Sequence, residues 1–583
     1  MATFRNAVHA PFIWDDIRAI VDNPHTHPIW PLTWSTSALP QSPLDGRPFA
    51  SLLVALDYAI GGLEPTAYHW TNLFLHIAAA ILFFLIVRLV IRSDALACAS
   101  ATLWLVHPLN TEVVDYVTQR TESLAAVSYL LTLYAAARFV KSTSRGGSIW
   151  AVVAVGACAA GLAAKETVVT APIVVLLFDG AFFSGSVRTA LRRHRYLYLG
   201  LAASWLLLVW LLTHGTRLGS SGVSPWEYLS NQPPMILRYI ALTVWPRHLI
   251  LDYGVAGPVA PLTVAVSSMV MLAAVAAAVW VWWHDPRPGF LLAFFLLTLA
   301  PSSSIVPIVT EVGAERRMYL PLMAVTLIVV LLARKAIQHM VLNRRAIQVG
   351  ATTFVYVATA SVLAAASVQR NAEYADPVVL WTSVLARHPH GRAHYSLGIE
   401  WERRGADALA ESEYRQAIDG AYEQAYYPLG ELLFRHGQYR DAVKDLREYV
   451  NRRPDDADVP HAFTLIGLSD LRLRDSSGAL AAFNRVLAMT GGVDEAFGGR
   501  ADALLAERRF ADAASAYRTY LERAPRNAAA YNNLGLSLAH EHRLEEAIQA
   551  FQAAMSIAPR DPDIRRNLAT AETLLAERQK HRS

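Results

Sequence analysis

Between residues 70 and 368 the chain carries four apolar runs of about 20 residues: 70–91 "HWTNLFLHIAAAILFFLIVRLV", 196–214 "YLYLGLAASWLLLVWLLTH", 262–283 "LTVAVSSMVMLAAVAAAVWVWW" and 349–368 "VGATTFVYVATASVLAAASV". Each approaches the length that crosses a ~30 Å hydrocarbon core. A segment in lipid must satisfy its own backbone hydrogen bonds, so these runs have to be helices. Shorter or more polar runs at 95–107, 123–140, 149–164, 167–183, 289–305 and 319–333 can span if neighbours cover their polar groups. The expectation is a domain of about ten spans over 70–368. Composition agrees, since 54% of the 583 residues are hydrophobic and only 17% charged.

Beyond residue 385 the periodicity changes. Small residues recur at Gly398, Gly430, Gly467, Ala501 and Gly535, each followed twelve residues later by an alanine, at 410, 442, 479, 513 and 547. A repeat of about 34 residues with this register is that of tetratricopeptide helix pairs. Its best copy is "AYNNLGLSLAHEHRLEEAIQAFQAAMSIAPRD", and Pro454, Pro525 and Pro559 close repeats. The organisation expected is a first outer loop at 1–69, the membrane domain at 70–368, a linker at 369–390, a five-repeat solenoid at 391–562, and a capping helix and tail at 563–583. The fold class is all-α.

The loops between spans alternate in character. One set is basic: Arg88 and Arg92; Arg138, Lys141 and Arg145; Arg188, Arg192, Arg193 and Arg195; Arg287; Arg334, Lys335, Arg344 and Arg345. By the positive-inside rule these are cytoplasmic. Residues 1–69, 107–122, 165–166, 215–261 and 310–321 then lie outside with the solenoid, in a periplasm if the chain is bacterial or an ER lumen if eukaryotic. High Ala and Arg usage favours a bacterium. An outer segment at 1–69 calls for a preceding span, so a first helix ahead of this chain is expected, the alternative being export of 1–69 by the following helix.

The outer set collects the ionisable groups: Asp15, Asp16, Asp57, His107, Glu112, Asp115, Arg120, Glu122, Lys165, Glu166, Glu311, Glu315, Arg316 and Arg317. Charges near membrane depth are costly and persist mainly where they face a cavity with a task. Glu112, Asp115 and Gln119 fall near one face of a helix expected to lie on the membrane surface, and "WPRHLILDYG" (245–254) reads as a second surface helix. Arg316 and Arg317 beside Tyr319 suit phosphate, because a guanidinium holds two oxygens at once. Lys165 could meet a phosphate or close a salt-bridged corner with Glu166. "DDIRAI" could equally be the acidic first turn of an interfacial helix.

A net charge of +4 with scattered basic residues excludes a nucleic-acid surface. Cys98 and Cys158 provide no disulfide framework. No carboxylate or histidine set has metal-ligand spacing, so no obligatory metal or other cofactor is expected, with a divalent ion at Asp15 and Asp16 left open. A Gly-rich phosphate loop is missing too, which argues against direct use of a nucleotide sugar.

"WDD", "RPFASLLVALDYAIGGLEPTAYHWTNLFLH", "VHPLNTEVVDYVTQRTESLAAVSYLLTLY", "LAAKETVVTAPIVVLLFD" and "APSSSIVPIVTEVGAERRMYLP", in that order and followed by the repeats, resemble the transmembrane and TPR-containing O-mannosyltransferases and their prokaryotic relatives, in the GT-C glycosyltransferase superfamily. The chain departs from that pattern at "AERRMYLP", where an aromatic is commoner at 317 or 318. The resemblance implies transfer of a sugar, typically mannose, from a polyprenyl-phosphate carrier to a protein hydroxyl outside the cytoplasm. It makes Asp15 or Asp16 the general base, with the other orienting the acceptor or pairing a cation. Cavity-lining or phosphate-binding candidates are His107, Glu112, Arg120, Glu122, Lys165, Glu166, Arg316, Arg317 and Tyr319. The solenoid would bind the acceptor or a partner protein. Competing readings are a non-catalytic membrane scaffold and a transporter or polymer ligase for lipid-linked sugars.

Overall fold

The computed structural model describes residues 2–27, 42–142, 147–214, 224–303, 308, 311–340 and 345–580. Arg145 and Arg344 of the basic loops lie outside the described residues. The described residues are helical with no strand, and they form two compact units that meet between Pro389 and His390.

In the first unit the helices are α1 Pro48–Gly61, α2 Pro65–Ile91, α3 Asp94–Leu105, α4 Thr111–Asp115, α5 Arg120–Lys141, α6 Ser148–Ala164, α7 Ala171–Phe182, α8 Val187–Arg193, α9 Arg195–His214, α10 Pro225–Val244, α11 Pro261–His284, α12 Pro286–Leu299, α13 Pro321–Met340, α14 Arg345–Tyr374 and α15 Pro377–Arg387. Among the described residues six helical stretches are long and apolar enough to cross a membrane. A seventh counts if Glu166–Phe182 and Val187–Arg193, bent by 108°, form one broken span. The other expected spans are helical but short, as in α3, α6 and α12. The protein is therefore a multi-pass membrane protein. Many starts are set by proline in the first turn, where the missing N–H costs nothing: α1, α2, α10 to α13 and α15 all begin this way. The core is built from Phe83, Trp104, Tyr129, Leu133, Phe178 and Met323 on α2, α3, α5, α7 and α13.

Turns between these helices alternate between two ends of the bundle. At one end the α2–α3 turn holds the Arg88–Asp94 pair. The α7–α9 corner at that end is fixed by Asp179, whose Oδ2 is 2.7 Å from both His194 Nδ1 and the Tyr198 hydroxyl. At the other end gather residues 2–27, the 106–119 stretch, the 165–170 corner and 311–320.

The second unit is a succession of helix pairs: α16 Gly391–Arg403 with α17 Asp407–Asp419, α18 Tyr426–Arg435 with α19 Tyr439–Arg452, α20 Val459–Arg472 with α21 Ser476–Thr490, α22 Asp494–Ala506 with α23 Phe510–Arg523, and α24 Ala528–His540 with α25 Leu544–Ile557, followed by α26 Pro562–Lys580. The recurrent glycine is there for close approach. A Cβ on Gly535 would stand 2.6 Å from the Phe551 ring, and one on Gly467 2.7 Å from Phe483. Each pair turns through a left-handed residue, at Gly405 and Gly437 and then, less comfortably, at Arg474, Arg508 and His542.

Candidate active site

Asp15 and Asp16 sit on a short helical turn that continues as a π-turn over Ile17–Val21, with Ala19 and Ile20 packed inside. Trp14, just before them, has φ of 45°, a left-handed conformation that costs a non-glycine residue roughly 1–2 kcal/mol. Its indole stands edge-on to Trp381, with ring centroids 5.3 Å apart, and stacks over Tyr116. Packing thus holds the strained turn and aims the two acids differently.

Asp16 is fully buried: Oδ1 accepts from the Thr118 amide at 2.8 Å and Oδ2 from the Ile13 amide at 3.2 Å. Burial pushes its carboxyl up to about 7 against those two bonds. Asp15 is half-buried, and its amide donates to the Tyr116 hydroxyl at 3.2 Å. Burial, with the charges of Asp15 and Asp16, holds the Tyr116 phenol well above its usual range, and the same phenol lies in the field of Arg316.

That field belongs to a second group. Arg316 is held between Glu112 and Glu311, and its amide also donates to Glu112 Oε2 at 3.1 Å. Burial opposes the Arg316 charge, but the two carboxylates outweigh it and the guanidinium stays protonated. Burial alone would raise Glu311, yet Arg316 and Arg317 bring it down to about 2. Lys165 Nζ lies 2.6 Å from Glu122, and Glu166 accepts from Arg47 at 2.9 Å. Burial lowers the Lys165 ammonium, opposed by Glu122 and assisted by Arg47. Lys165 and Glu166 are therefore each paired elsewhere rather than with one another. Lys165, Glu122, Glu311, Arg316 and Arg47 keep between 11% and 14% side-chain exposure, and Glu166 45%, so the group is open on one side.

Other candidates serve the frame. Arg120 is fully enclosed, bonded to Asp57 at 2.5 Å and to the Tyr68 and Val117 carbonyls, so it anchors the start of α5 and lines no cavity. His107 caps the 108–110 turn through Leu109 N and contacts the Thr243 carbonyl; burial lowers it to about 4, leaving it neutral. Tyr319 points away from the charged group, its hydroxyl 2.7 Å from His76 and its carbonyl accepting from Trp104. Arg317 touches Glu311 through Nη2 but spends Nη1 on Tyr228 and the Ser302 carbonyl, so the two arginines do not act as one phosphate clamp.

Two expected helices are different as well. The 107–119 segment forms short turns at 108–110, 111–115 and 117–119, the last set off by extended backbone at Tyr116, and it is buried rather than laid on a surface. Residues 245–254 are non-helical, because Glu315 Oε1 captures the Ile250 amide at 2.6 Å and the Tyr253 hydroxyl at 2.9 Å. Sequence reasoning passed over Tyr116, Thr118, Arg47 and Trp381. Arg47 lies in the block that begins "RPFASLL" and Tyr116 and Thr118 in the block that begins "VHPLNTEVVDYVTQ", whereas Trp381 lies in none of the quoted blocks. Among the described residues no group of three or more His, Cys, Asp or Glu could hold a metal ion.

A tetratricopeptide-repeat family model matches residues 427–492 and 499–562. Among curated proteins, the Drosophila melanogaster protein O-mannosyl-transferase Tmtc1 is 32% identical over 184 residues, covering 30% of this chain and 21% of that protein. Drosophila Tmtc2 is 34% identical over 190 residues, 30% of this chain and 20% of the relative. Human TMTC3 is 31% identical over 137 residues, 22% of this chain and 15% of the relative. The chain thus has homologues among the proteins its sequence resembles, and each match spans about a fifth of the relative's length or less. Solved structures similar to part of it include the TPR protein YrrB, at 19% identity and a TM-score of 0.29 over 32% of this chain and 95% of that one. MamA from Desulfovibrio magneticus is 22% identical with a TM-score of 0.26, over 27% of this chain and 88% of its own.

Proposed function

We propose that this chain is an integral-membrane glycosyltransferase of the GT-C kind, moving a sugar, mannose in the first instance, from a polyprenyl-phosphate donor to a hydroxyl of a protein acceptor. We place the reaction on the non-cytoplasmic face, with about ten crossings, the short helices included, between the basic loops and the acidic end, and give the solenoid the task of holding the acceptor protein.

The observation that carries this reading is the division of labour between Asp15 and Asp16. Asp16 is enclosed and bonded to two backbone amides, so it cannot reach a substrate; it positions the turn. Asp15 is half-buried, its amide on the Tyr116 hydroxyl, and is the acid we assign to the acceptor. Asp15 takes the proton as the acceptor oxygen attacks the anomeric carbon, and the bond from that carbon to the phosphate oxygen breaks with inversion. Negative charge collects on the departing lipid phosphate. Lys165, with one of its three donors on Glu122, is the cation we assign to receive it, and Arg316 adds a fixed positive charge nearby. Each cation already has a carboxylate partner, so the donor phosphate enters by competing with Glu122 for Lys165. Local electroneutrality keeps the site stable while empty.

The test uses the full chain in lipid nanodiscs, labelled polyprenyl-phosphate mannose and a co-purified acceptor. Transfer that disappears in Asp15→Asn with retained folding supports the reading. Undiminished transfer by that variant overturns the assignment of the base, and no transfer from any lipid-linked sugar overturns the enzyme.

A further inference from the structure

The membrane unit contains an apolar cavity of about 390 Å³ between α2, α5, α7, α12 and α13. Phe83, Leu130, Phe178 and Phe294 form its walls, and its inner end is closed by Met323 and Ala324, both buried. Its outer end reaches exposed Arg287 and Pro288 at the start of α12 and the half-buried Ile91 at the end of α2. That rim belongs to the end of the bundle remote from Asp15, Lys165 and Arg316, because α2 and α5 begin beside those residues and run away from them.

Protein interiors are close-packed, and a space this large is an exception that calls for an occupant. Water is a poor one: apolar cavities of about 150 Å³ stay dry and take apolar guests, and the walls here offer no hydrogen bonds. The apolar guest always at hand for a membrane protein is a lipid chain. What selects the lipid is the rim. The Arg287 guanidinium has no hydrogen-bond or ion-pair partner among the described residues, and neither has Arg92, one residue beyond the lining Ile91. Two cations left to the headgroup zone beside the mouth of an apolar slot complement a phosphate attached to a chain.

We propose that this slot is a binding site for one acyl chain of an anionic phospholipid, drawn from the leaflet at the end of the bundle opposite the charged cluster, with its phosphodiester on Arg287 and Arg92. The lipid is a resident ligand, distinct from any donor at the other end. It fills the space between α2, α12 and α13 and so ties α13, which starts four residues after Arg317, to the rest of the bundle.

The full chain is stripped in detergent, offered phosphatidylglycerol or phosphatidylcholine in mixed micelles, and weighed by native mass spectrometry, a readout independent of transferase activity. The expected result is one phosphatidylglycerol retained per chain, at least tenfold over phosphatidylcholine. Arg287→Glu should bring the two lipids to the same low level, and Leu327→Trp, which fills the slot, should remove both. Leu291→Trp, at the half-buried rim, gives the same information if Leu327→Trp does not fold. Equal retention of the two lipids by the unaltered chain, or phosphatidylglycerol retention untouched by Arg287→Glu and by the filling variant that folds, overturns the proposal. Displacement of phosphatidylglycerol from the slot by equimolar polyprenyl phosphate also overturns it, since the occupant is then an isoprenoid.

Discussion

Asp16 Oδ1 accepts a hydrogen bond from the amide of Thr118 at 2.8 Å, across 102 residues of chain. This contact fastens the turn that carries Asp15 to the segment that carries Glu112 and Tyr116, and it places an acid where water does not reach.

The pH dependence of stability follows from that burial. An aspartate in the unfolded chain titrates near ~3.9, whereas folded Asp16 titrates near about 7. Between those values the folded protein binds more protons, so this group's contribution falls as pH rises from about 4 through about 7. The whole change is at most about 4 kcal/mol. Asp16→Asn should flatten this slope in thermal melts between pH 4.5 and 8; an unaltered slope would show that Asp16 is ionised in the folded chain.

Asp15→Asn should leave the melting temperature within about 2 °C, since a half-buried side chain at the surface of the site contributes little to stability. Transfer should fall by at least ~100-fold, the ordinary scale for losing a general base. Parallel melts and single-turnover transfer measure the two effects separately.

Lys165→Met removes the cation assigned to the donor phosphate and leaves Glu122 without its partner. About tenfold weaker use of the lipid donor is expected, equivalent to ~1.4 kcal/mol, with Lys165→Arg recovering part of it. The measurement is transfer rate against donor concentration; a change confined to acceptor concentration would assign Lys165 to the acceptor.

Arg316→Met strands Glu112 in a buried place and leaves Glu311 with Arg317 alone among the described residues. Breaking one side of such an arrangement costs about 3 to 5 kcal/mol, so the variant should melt far lower than the unaltered chain. Double replacement of Arg316 and Glu112 by apolar residues should recover part of the loss, which thermal unfolding in detergent reads directly.

In the second unit Gly535→Ala forces a Cβ to within 2.6 Å of the Phe551 ring. Overpacking of this kind costs about 1–3 kcal/mol. Limited proteolysis of the full chain should open first between α24 and α25, while Gly350→Ala, where nothing lies within 4 Å, should change nothing.

Helix type, the two kinds of periodicity and the polar segments were legible in the sequence because they depend on local spacing: a ~20-residue apolar run has one way to satisfy its backbone in lipid, and Gly398 through Gly535 repeat in register because helix A must touch helix B. The candidate acids and bases were legible too, as charges a membrane segment keeps only for a purpose. Their roles were not. Arg120, Lys165 and Arg316 read alike as cations beside carboxylates, yet among the described residues Arg120 is sealed on Asp57, Lys165 is paired with Glu122 alone, and Arg316 is clamped by Glu112 and Glu311. The helix expected at 245–254 gave way to one carboxylate, Glu315, that offered its amide and phenol better partners than a helix does.

By itself the sequence determined that the chain is a helical membrane domain joined to a helical repeat, since periodicity and apolar length act within one segment. Only tertiary structure decided that Asp16 is enclosed and Asp15 half-buried, that Tyr319 turns inward to His76, and that Lys165 pairs with Glu122, because burial and pairing depend on segments separated by tens to hundreds of residues. A carboxylate's character is set by what surrounds it, and its surroundings come from the rest of the chain.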